Sequence, residues 1–344
     1  MLACLHSRQP TSLVPMSLSN TKKTVLAFSR VTPAMVERLR EDFNVIVPDP
    51  KLGDINAQFE EALPHAHGLI GVGRKLGRKQ LENAKNLEVV SSVSVGYDNY
   101  DVDYFNERGL MLTNTPDVLT ESTADLGFTL IMSAARRVAE LDAWTKAGEW
   151  KASVGPALFG TDVHGKTLGI VGMGNIGAAV ARRGRLGFGM PILYSGNSRK
   201  TELEQELGAQ FRTLDQLLAE ADFVCLVVPL SEKTKHLISE RELKLMKKSA
   251  ILVNISRGPV VDEAALVHAL QNNTIRGAGL DVYEKEPLAE SPLFALKNAV
   301  TLPHIGSATE ETREAMANRA LANLRSALLG ERPQDLVNPQ VFKG

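Results

Sequence analysis

The chain has 344 residues, and its 39 Lys and Arg against 40 Asp and Glu give a formal net charge of −1. This balance excludes a protein that binds nucleic acid or an anionic membrane through surplus positive charge. The composition is that of a folded protein of about two domains, and its apolar runs are far shorter than a membrane span. With only 2 cysteines there is no disulfide framework. We therefore expect a cytoplasmic protein whose substrate or ligand is a small molecule.

Residues 1–21 are predicted to be an extension that lies outside the fold. They contain no acidic residue and no hydrophobic period, and they lack the unbroken apolar stretch of a secretory signal. We interpret them as disordered or vector-derived, with Met16 as the initiator. The lack of acids leaves an organelle-transit segment as the alternative.

Short apolar strands alternate with helical segments along the first 119 residues. The predicted strands begin at Thr24, Asn44, His67 and Leu87. A helix is predicted between the first two of them, from Pro33 to Phe43. This alternation is typical of βαβ units on a parallel sheet.

Two long helices are predicted where the chain crosses from the first half to the second and where it returns. Residues 120–150 are rich in Ala, Leu, Glu and Arg and are predicted to be one connecting helix, capped by Glu121, Ser122 or Thr123. Residues 310–329 are predicted to be an amphipathic helix that packs back onto the first half. The first domain is then discontinuous.

A second series of strands and helices begins at Thr167 and ends near His304. Its strands lie in the runs LGIV, PILYS, DFVCLVV, SAILVNIS, GAGLDV and NAVTLP. Five or six buried strands with intervening helices are typical of a doubly wound parallel sheet. The predicted fold class is therefore α/β, with two doubly wound parallel-sheet domains.

A glycine-rich loop follows the first strand of this second series. Gly172-Met-Gly174-Asn-Ile-Gly177 matches the G-x-G-x-x-G pattern, comes directly after LGIV and opens the helical run AAVARR. With 27 glycines in the chain the pattern alone is weak, but this strand-and-helix context is the one that a dinucleotide requires. Gly172 permits the tight turn, Gly174 admits a pyrophosphate to the backbone, and Gly177 lets the helix pack on the strand.

The segment after the second strand indicates which dinucleotide is bound. NAD-binding domains carry an Asp or Glu about 20 residues after the loop to bind the ribose. Here the positions are Ser195-Gly-Asn197-Ser-Arg199-Lys200, without a carboxylate. Small polar and basic groups accommodate a 2′-phosphate, so NADP(H) is favoured over NAD(H). The alternative is that Arg199 and Lys200 only form a solvated turn.

Three charged residues follow predicted strands: Arg257 after SAILVNIS, Glu286 at the end of GLDVYEKE, and His304 after NAVTLP. Ligands of open α/β sheets bind at the carboxyl ends of strands, so we expect the three to share one edge. An arginine binds an anionic substrate, a histidine protonates a developing alkoxide, and a carboxylate tunes the histidine. Taken singly, each is as readily explained by capping or solvent exposure. No metal site is predicted, since His65 and His67 lack partner ligands.

Five stretches of the sequence resemble the D-isomer-specific 2-hydroxyacid dehydrogenases. They are SVSVGYDNYDVD, GKTLGIVGMGNIG, ILVNISRGPVVDEAALVHAL, GLDVYEKEP and LPHIGSAT, and the likeness covers nearly the whole chain after residue 22. Within that family the chain is most similar to bacterial glyoxylate/hydroxypyruvate reductases and 2-ketogluconate reductases. The resemblance implies a flavodoxin-like substrate domain, residues 22–119 and 307–344, and a Rossmann-type dinucleotide-binding domain, residues 120–306.

The resemblance also implies roles for individual residues. Arg257 and the backbone amides of Val95 and Gly96 would bind the substrate, His304 would be the acid–base, and Glu286 would hydrogen-bond it. The implied cofactor-binding residues are Thr123, Gly172, Gly174, Asn175, Ile176, Gly177, Ser195, Asn197, Arg199, Pro229, Thr234, Ile255, Asp281 and Gly306. A homodimer would form through the cofactor domain and the 120–150 helix.

These patterns predict an NADPH-preferring reductase that converts 2-keto acids to D-2-hydroxy acids. Glyoxylate, hydroxypyruvate and 2-ketogluconate are the candidate substrates, because no large aromatic residue near Ser153 and Val154 excludes a six-carbon acid. One alternative is a non-enzymatic dinucleotide sensor, since the same family fold serves corepressors. Another is an NAD-linked dehydrogenase of formate, phosphite or phosphoglycerate.

Overall fold

The computed structural model describes residues 22–343, which divide into two compact units. Unit 1 comprises residues 22–95, 99–114 and 317–343, and unit 2 comprises residues 96–98 and 115–316. The extension predicted for residues 1–21 lies outside the described residues. The sequence placed domain boundaries after residues 119 and 306, and these boundaries remain a prediction.

Unit 1 is built on a five-stranded parallel sheet. Its elements are β1 (Thr24–Ala27), α1 (Pro33–Asp42), β2 (Asn44–Ile46), α2 (Ile55–Ala62), β3 (Gly68–Gly71), α3 (Arg78–Leu81), β4 (Val89–Ser92), α4 (Val102–Arg108) and β5 (Met111–Thr113). The strand order is β2-β1-β3-β4-β5, the flavodoxin-like order. Leu26, Leu69 and Val90 of three adjacent strands are fully buried, which explains the apolar runs in the sequence.

Unit 2 is built on a seven-stranded parallel sheet rather than the predicted five or six strands. Its strands are β6 (Leu168–Val171), β7 (Ile192–Ser195), β8 (Gln210–Phe211), β9 (Phe223–Leu226), β10 (Ile251–Asn254), β11 (Gly277–Leu280) and β12 (Ala299–Thr301). Its helices are α5 (Thr120–Arg136), α6 (Val138–Lys146), α7 (Asn175–Arg182), α8 (Thr201–Leu207), α9 (Leu214–Glu220), α10 (Glu240–Leu245) and α11 (Glu263–Gln271). The order β12-β11-β10-β9-β6-β7-β8 reverses between β6 and β9, as in a Rossmann fold. The predicted pair of doubly wound parallel-sheet domains is confirmed.

The single helix predicted for residues 120–150 is wrong, because the chain turns at Arg137 between α5 and α6. Arg137 has a φ of 56°, in the left-handed region that ends helices. Its guanidinium donates to both carboxylate oxygens of Glu140, which holds the turn. The predicted side-chain cap is also absent. The N-cap position is Leu119, and Ser122 donates its hydroxyl to the Leu119 carbonyl oxygen.

The last helix, α12 (Glu310–Leu328), begins in unit 2 and ends in unit 1. Its end packs on unit 1, where Arg325 pairs with Asp42 at 2.6 Å and Lys23 donates to the Leu328 carbonyl oxygen at 2.8 Å. The chain therefore returns to its first sheet near the C-terminus. Between residues 22 and 343, no helix is both long and apolar enough to cross a bilayer.

Candidate active site

The three charged residues singled out from the sequence follow three neighbouring strands of unit 2. Arg257 comes shortly after β10, Glu286 after β11 and His304 after β12. These strands are parallel and pair in the order β12-β11-β10. Their carboxyl ends lie at one edge of the sheet, which is where open α/β sheets bind ligands.

His304 and Glu286 form a hydrogen-bonded pair. The His304 Nδ1 lies 2.6 Å from Oε2 of Glu286, whose Oε1 accepts from the Tyr283 amide at 3.0 Å. Burial raises the pKa of the Glu286 carboxyl, but these two hydrogen bonds and the charges of His304 and Arg257 outweigh burial and lower it. Glu286 is therefore a carboxylate at neutral pH, and Nδ1 of His304 donates to it. The other ring nitrogen, Nε2, remains for a substrate.

The backbone around His304 is held in an uncommon conformation. His304 has a φ of 54°, in the left-handed region that residues other than glycine seldom adopt. The buried Asp281 accepts from the amides of Ile305 at 2.7 Å and Gly306 at 2.8 Å, and Thr123 donates to the Gly306 carbonyl oxygen at 3.1 Å. Burial raises the pKa of Asp281 despite the two amide donors. Asp281 and Thr123 thus anchor the turn that presents His304.

Arg257 is oriented by an acidic residue that the sequence did not point to. Its Nε donates to Asp98 Oδ1 at 3.0 Å, and its Nη1 donates to the Ser256 carbonyl oxygen at 2.9 Å. Its Nη2 lies against Gly96, where a Cβ atom would be only 1.7 Å away. A side chain at position 96 would therefore displace the guanidinium from this place.

A buried asparagine shapes the turn that carries Arg257. Asn254 Oδ1 accepts from the amide of Ser256 at 3.0 Å and from its hydroxyl at 2.7 Å, and Nδ2 donates to the Arg257 carbonyl oxygen at 3.0 Å. Gly258 follows because a Cβ there would lie 1.8 Å from the Tyr283 carbonyl oxygen. A polar residue closing the apolar run ILVN was the available signal for Asn254.

The glycine loop fits the phosphates of a dinucleotide. Gly172 has a φ of 102°, and a Cβ there would lie 2.7 Å from the Val227 carbonyl oxygen. A Cβ at Gly177 would lie 2.2 Å from the Gly172 carbonyl oxygen, so only glycine lets α7 start this close to β6. Gly174 has open space beside it and is the N-cap of α7, which has no side-chain cap. The first amides of α7 can therefore bind a pyrophosphate.

Comparison with known proteins identifies the family. The family model described as D-isomer specific 2-hydroxyacid dehydrogenase, NAD binding domain, matches residues 128–306. A glyoxylate/hydroxypyruvate reductase B of Serratia proteamaculans is 49% identical over 323 residues, which cover 94% of this chain and 99% of that protein. The chain belongs to the D-isomer-specific 2-hydroxyacid dehydrogenase family. The predicted family and the predicted class of NAD(P)-dependent 2-hydroxyacid dehydrogenase are confirmed.

Two further members of this dehydrogenase family are similar over their full length. A glyoxylate/hydroxypyruvate reductase B of Klebsiella pneumoniae is 50% identical over 93% of this chain and 99% of that protein. The crystal structure of an NADPH-dependent glyoxylate/hydroxypyruvate reductase from Sinorhizobium meliloti, in complex with NADP and malonate, is 32% identical. It has a TM-score of 0.83 and covers 94% of this chain and 99% of that one. A nicotinamide dinucleotide is thus the cofactor of this dehydrogenase.

The loop after β7 contains a carboxylate contact that the linear sequence does not reveal. The Arg199 guanidinium donates to the carboxylate of Glu204 in α8. Of the other predicted residues in this loop, Ser195 is half-buried and Asn197 is exposed. A cavity of about 630 Å³ is lined by this loop, the glycine loop and the start of α5. At the same cavity Asp117, also missed, accepts from the side-chain amide of Asn175 at 2.7 Å.

The other predicted site residues of the dehydrogenase are spread over three segments. Thr234 donates its hydroxyl to the Pro229 carbonyl oxygen at 2.6 Å in the loop after β9. Ile255 follows β10 and is buried, and Ile176 lies in α7. Val95 belongs to unit 1, whereas the other predicted residues belong to unit 2, so its predicted part in substrate binding stays a prediction.

Proposed function

We propose that this dehydrogenase is an NADPH-preferring reductase that converts 2-keto acids, first of all glyoxylate and hydroxypyruvate, to D-2-hydroxy acids. The observation that carries the proposal is the paired His304 and Glu286 at the same sheet edge as Arg257. The names of the Serratia and Klebsiella relatives support these substrates, and the NADP of the Sinorhizobium structure supports the cofactor. 2-Ketogluconate stays a third candidate.

The chemistry divides between the dinucleotide and the side chains. The bound cofactor supplies a hydride to the keto carbon from its nicotinamide ring. Arg257, oriented by Asp98, binds the carboxylate of the keto acid. His304 donates its Nε2 proton to the carbonyl oxygen as negative charge develops there. Glu286 keeps Nδ1 protonated and stabilises the imidazolium, so the transferable proton stays on Nε2.

A panel of 2-keto acids tests the proposed function directly. Purified protein is mixed with NADPH, and NADPH oxidation is followed with glyoxylate, hydroxypyruvate, 2-ketogluconate and pyruvate. We expect the highest kcat/KM with glyoxylate or hydroxypyruvate. Tight NADPH binding without turnover of any keto acid would instead support a dinucleotide sensor, and turnover of formate or phosphite with NAD would support the NAD-linked alternative.

Cofactor choice gives the first variant prediction. The parent is expected to have a higher kcat/KM for NADPH than for NADH, and Ser195→Asp is expected to reverse that order. A carboxylate at the end of β7 repels a 2′-phosphate and accepts a hydrogen bond from a ribose 2′-hydroxyl. Ser326→Asp, which adds the same charge in unit 1, is the control. Equal use of both cofactors by the parent contradicts the NADPH preference.

The pH dependence gives the second. Despite burial, the hydrogen bond with His304 holds the pKa of the Glu286 carboxyl below its ordinary value, so Glu286 stays ionised through neutral pH and loses its charge only in the acid range. We expect kcat for reduction to fall on the acid side as Glu286 is protonated, because His304 then loses the carboxylate that orients it. Glu286→Gln has no such group to titrate, so it is expected to lower kcat at neutral pH and to lack this acid limb. A parental kcat and an unchanged acid limb in Glu286→Gln would contradict the assigned role of Glu286.

We extend the proposal to a homodimer formed through the cofactor domain and residues 120–150. Leu186, after α7, is 74% exposed, and it lines an apolar groove with Phe128, Met132 and Phe188. A second copy of the same surface would bury these side chains. Light scattering is expected to give twice the mass of the chain, and Leu186→Asp is expected to lower it. A monomeric parent would contradict this part.

A further inference from the structure

A buried tyrosine and a carboxylate close the loop that follows β7. Tyr194 is fully buried, and its hydroxyl accepts from the Lys200 amide at 2.7 Å and donates to Glu204 Oε1 at 2.5 Å. The Glu204 carboxylate also accepts from Arg199, at 3.0 Å from Nε and 2.5 Å from Nη2. The Lys200 amide is therefore bonded directly to the Tyr194 hydroxyl, and the Arg199 side chain is linked to the same hydroxyl through Glu204.

These contacts order Arg199 without any ligand. A free arginine side chain loses rotamer freedom when it is immobilised, and that loss opposes binding. Here the carboxylate of Glu204, only 15% exposed, already holds one edge of the guanidinium, while the Arg199 side chain is 66% exposed. Three of the five guanidinium N–H groups are left for another acceptor. The loop is thus preorganised, and preorganised groups bind an anion at lower entropic cost.

Glu204 is not arranged to bind a ribose hydroxyl itself. Its two oxygens already accept three hydrogen bonds from Tyr194 and Arg199, out of about four that a carboxylate can accept. The hydrogen bond from Arg199, and then that from Tyr194, lowers the pKa of Glu204, so it remains ionised and paired. An NAD-type acid would need its oxygens open to the cofactor.

We infer that Glu204 and Tyr194 are positioning residues that set the selectivity for a 2′-phosphorylated dinucleotide, by holding the guanidinium of Arg199 where the phosphate binds. Arg199 and Lys200 line the same cavity as Gly174 and Asn175 of the glycine loop. One ligand can therefore contact both groups. The inference rests on the proposed NADPH preference and adds to it the two residues that act through Arg199.

The test compares kcat/KM for NADPH with kcat/KM for NADH in a set of variants. Arg199→Ala is expected to lower this ratio, and Glu204→Ala and Tyr194→Phe are each expected to lower it about 3- to 10-fold. Glu204→Gln, whose single amide oxygen keeps only one of the two hydrogen bonds from Arg199, is expected to give a ratio between those of the parent and Glu204→Ala. In the Arg199→Ala background, Glu204→Ala is expected to add nothing, because Glu204 acts through Arg199.

Binding of 2′,5′-ADP against that of 5′-AMP, followed by calorimetry, repeats the comparison without turnover. Asp215→Ala is the matched control, since Asp215 holds both terminal nitrogens of Arg241 elsewhere in unit 2 and its loss is expected to leave the ratio unchanged.

The outcomes separate this inference from the function on which it rests. If the parent lacks a preference for NADPH, or if Arg199→Ala leaves the ratio unchanged, the proposed cofactor preference fails and the inference fails with it. If Arg199→Ala lowers the ratio but Glu204→Ala and Tyr194→Phe do not, the inference alone is wrong. If the ratio in Glu204→Ala were above that of the parent, Glu204 would compete with the phosphate. If kcat/KM fell equally with NADPH and with NADH, the role of Glu204 would be structural. Either result overturns the inference.

Discussion

Replacing His304 with alanine should lower kcat for keto-acid reduction by about 10²- to 10⁴-fold, the usual contribution of a positioned proton donor. Hydride addition leaves negative charge on the former carbonyl oxygen, and without the imidazole only water can neutralise it. NADPH affinity should change little, because the groups that face the phosphates lie in the glycine loop and the loop after β7. Steady-state kinetics with glyoxylate, together with a direct NADPH titration, separate the two effects.

His268→Ala is the matched control for this prediction. His268 is an exposed histidine of α11 in the same unit, and its loss is expected to leave kcat unchanged. Full kcat in His304→Ala would contradict the acid–base assignment, and another residue or water would then supply the proton. A parallel loss of NADPH affinity and melting temperature would instead indicate that the strained turn at His304, anchored by Asp281, had collapsed.

The sequence predicted those parts of the candidate site that follow from the alternation of strands and helices. An apolar run that ends in a charged residue has one ready explanation in an α/β protein, because the carboxyl ends of parallel strands meet at one edge. Arg257, Glu286 and His304 were therefore singled out as candidates by their positions after three strands, and the structure places those strands side by side. The glycine loop was singled out by the strand before it and the helix after it. The parallel pairing in both sheets follows the same logic, since strands separated by helices pair in parallel, whereas the order of the strands was not predicted.

What the sequence did not predict depends on contacts between distant residues. Asp98 reaches Arg257 across 159 positions, and nothing in the local pattern of either residue indicates the pair. Glu204 is separated from Ser195 by a turn and half a helix, so a search for an acid directly after β7 misses it. The break at Arg137 is also tertiary in origin, since a helix-forming composition continues through it and only the left-handed backbone ends α5.

Replacing Arg257 with alanine should raise KM for the keto acid by about 10²-fold or more. Two charge-assisted hydrogen bonds to a carboxylate contribute about 1.5–3 kcal/mol each, and each 1.4 kcal/mol corresponds to about a factor of ten. The KM of Arg257→Lys should lie between those of the alanine variant and the parent. An ammonium group keeps the positive charge, but it lacks the planar guanidinium that can bond to Asp98 and to the substrate at the same time. Arg241→Ala, which removes an exposed arginine of α10, should leave KM unchanged. A parental KM in Arg257→Lys would show that charge alone suffices, and an unchanged KM in Arg257→Ala would move substrate binding to other residues.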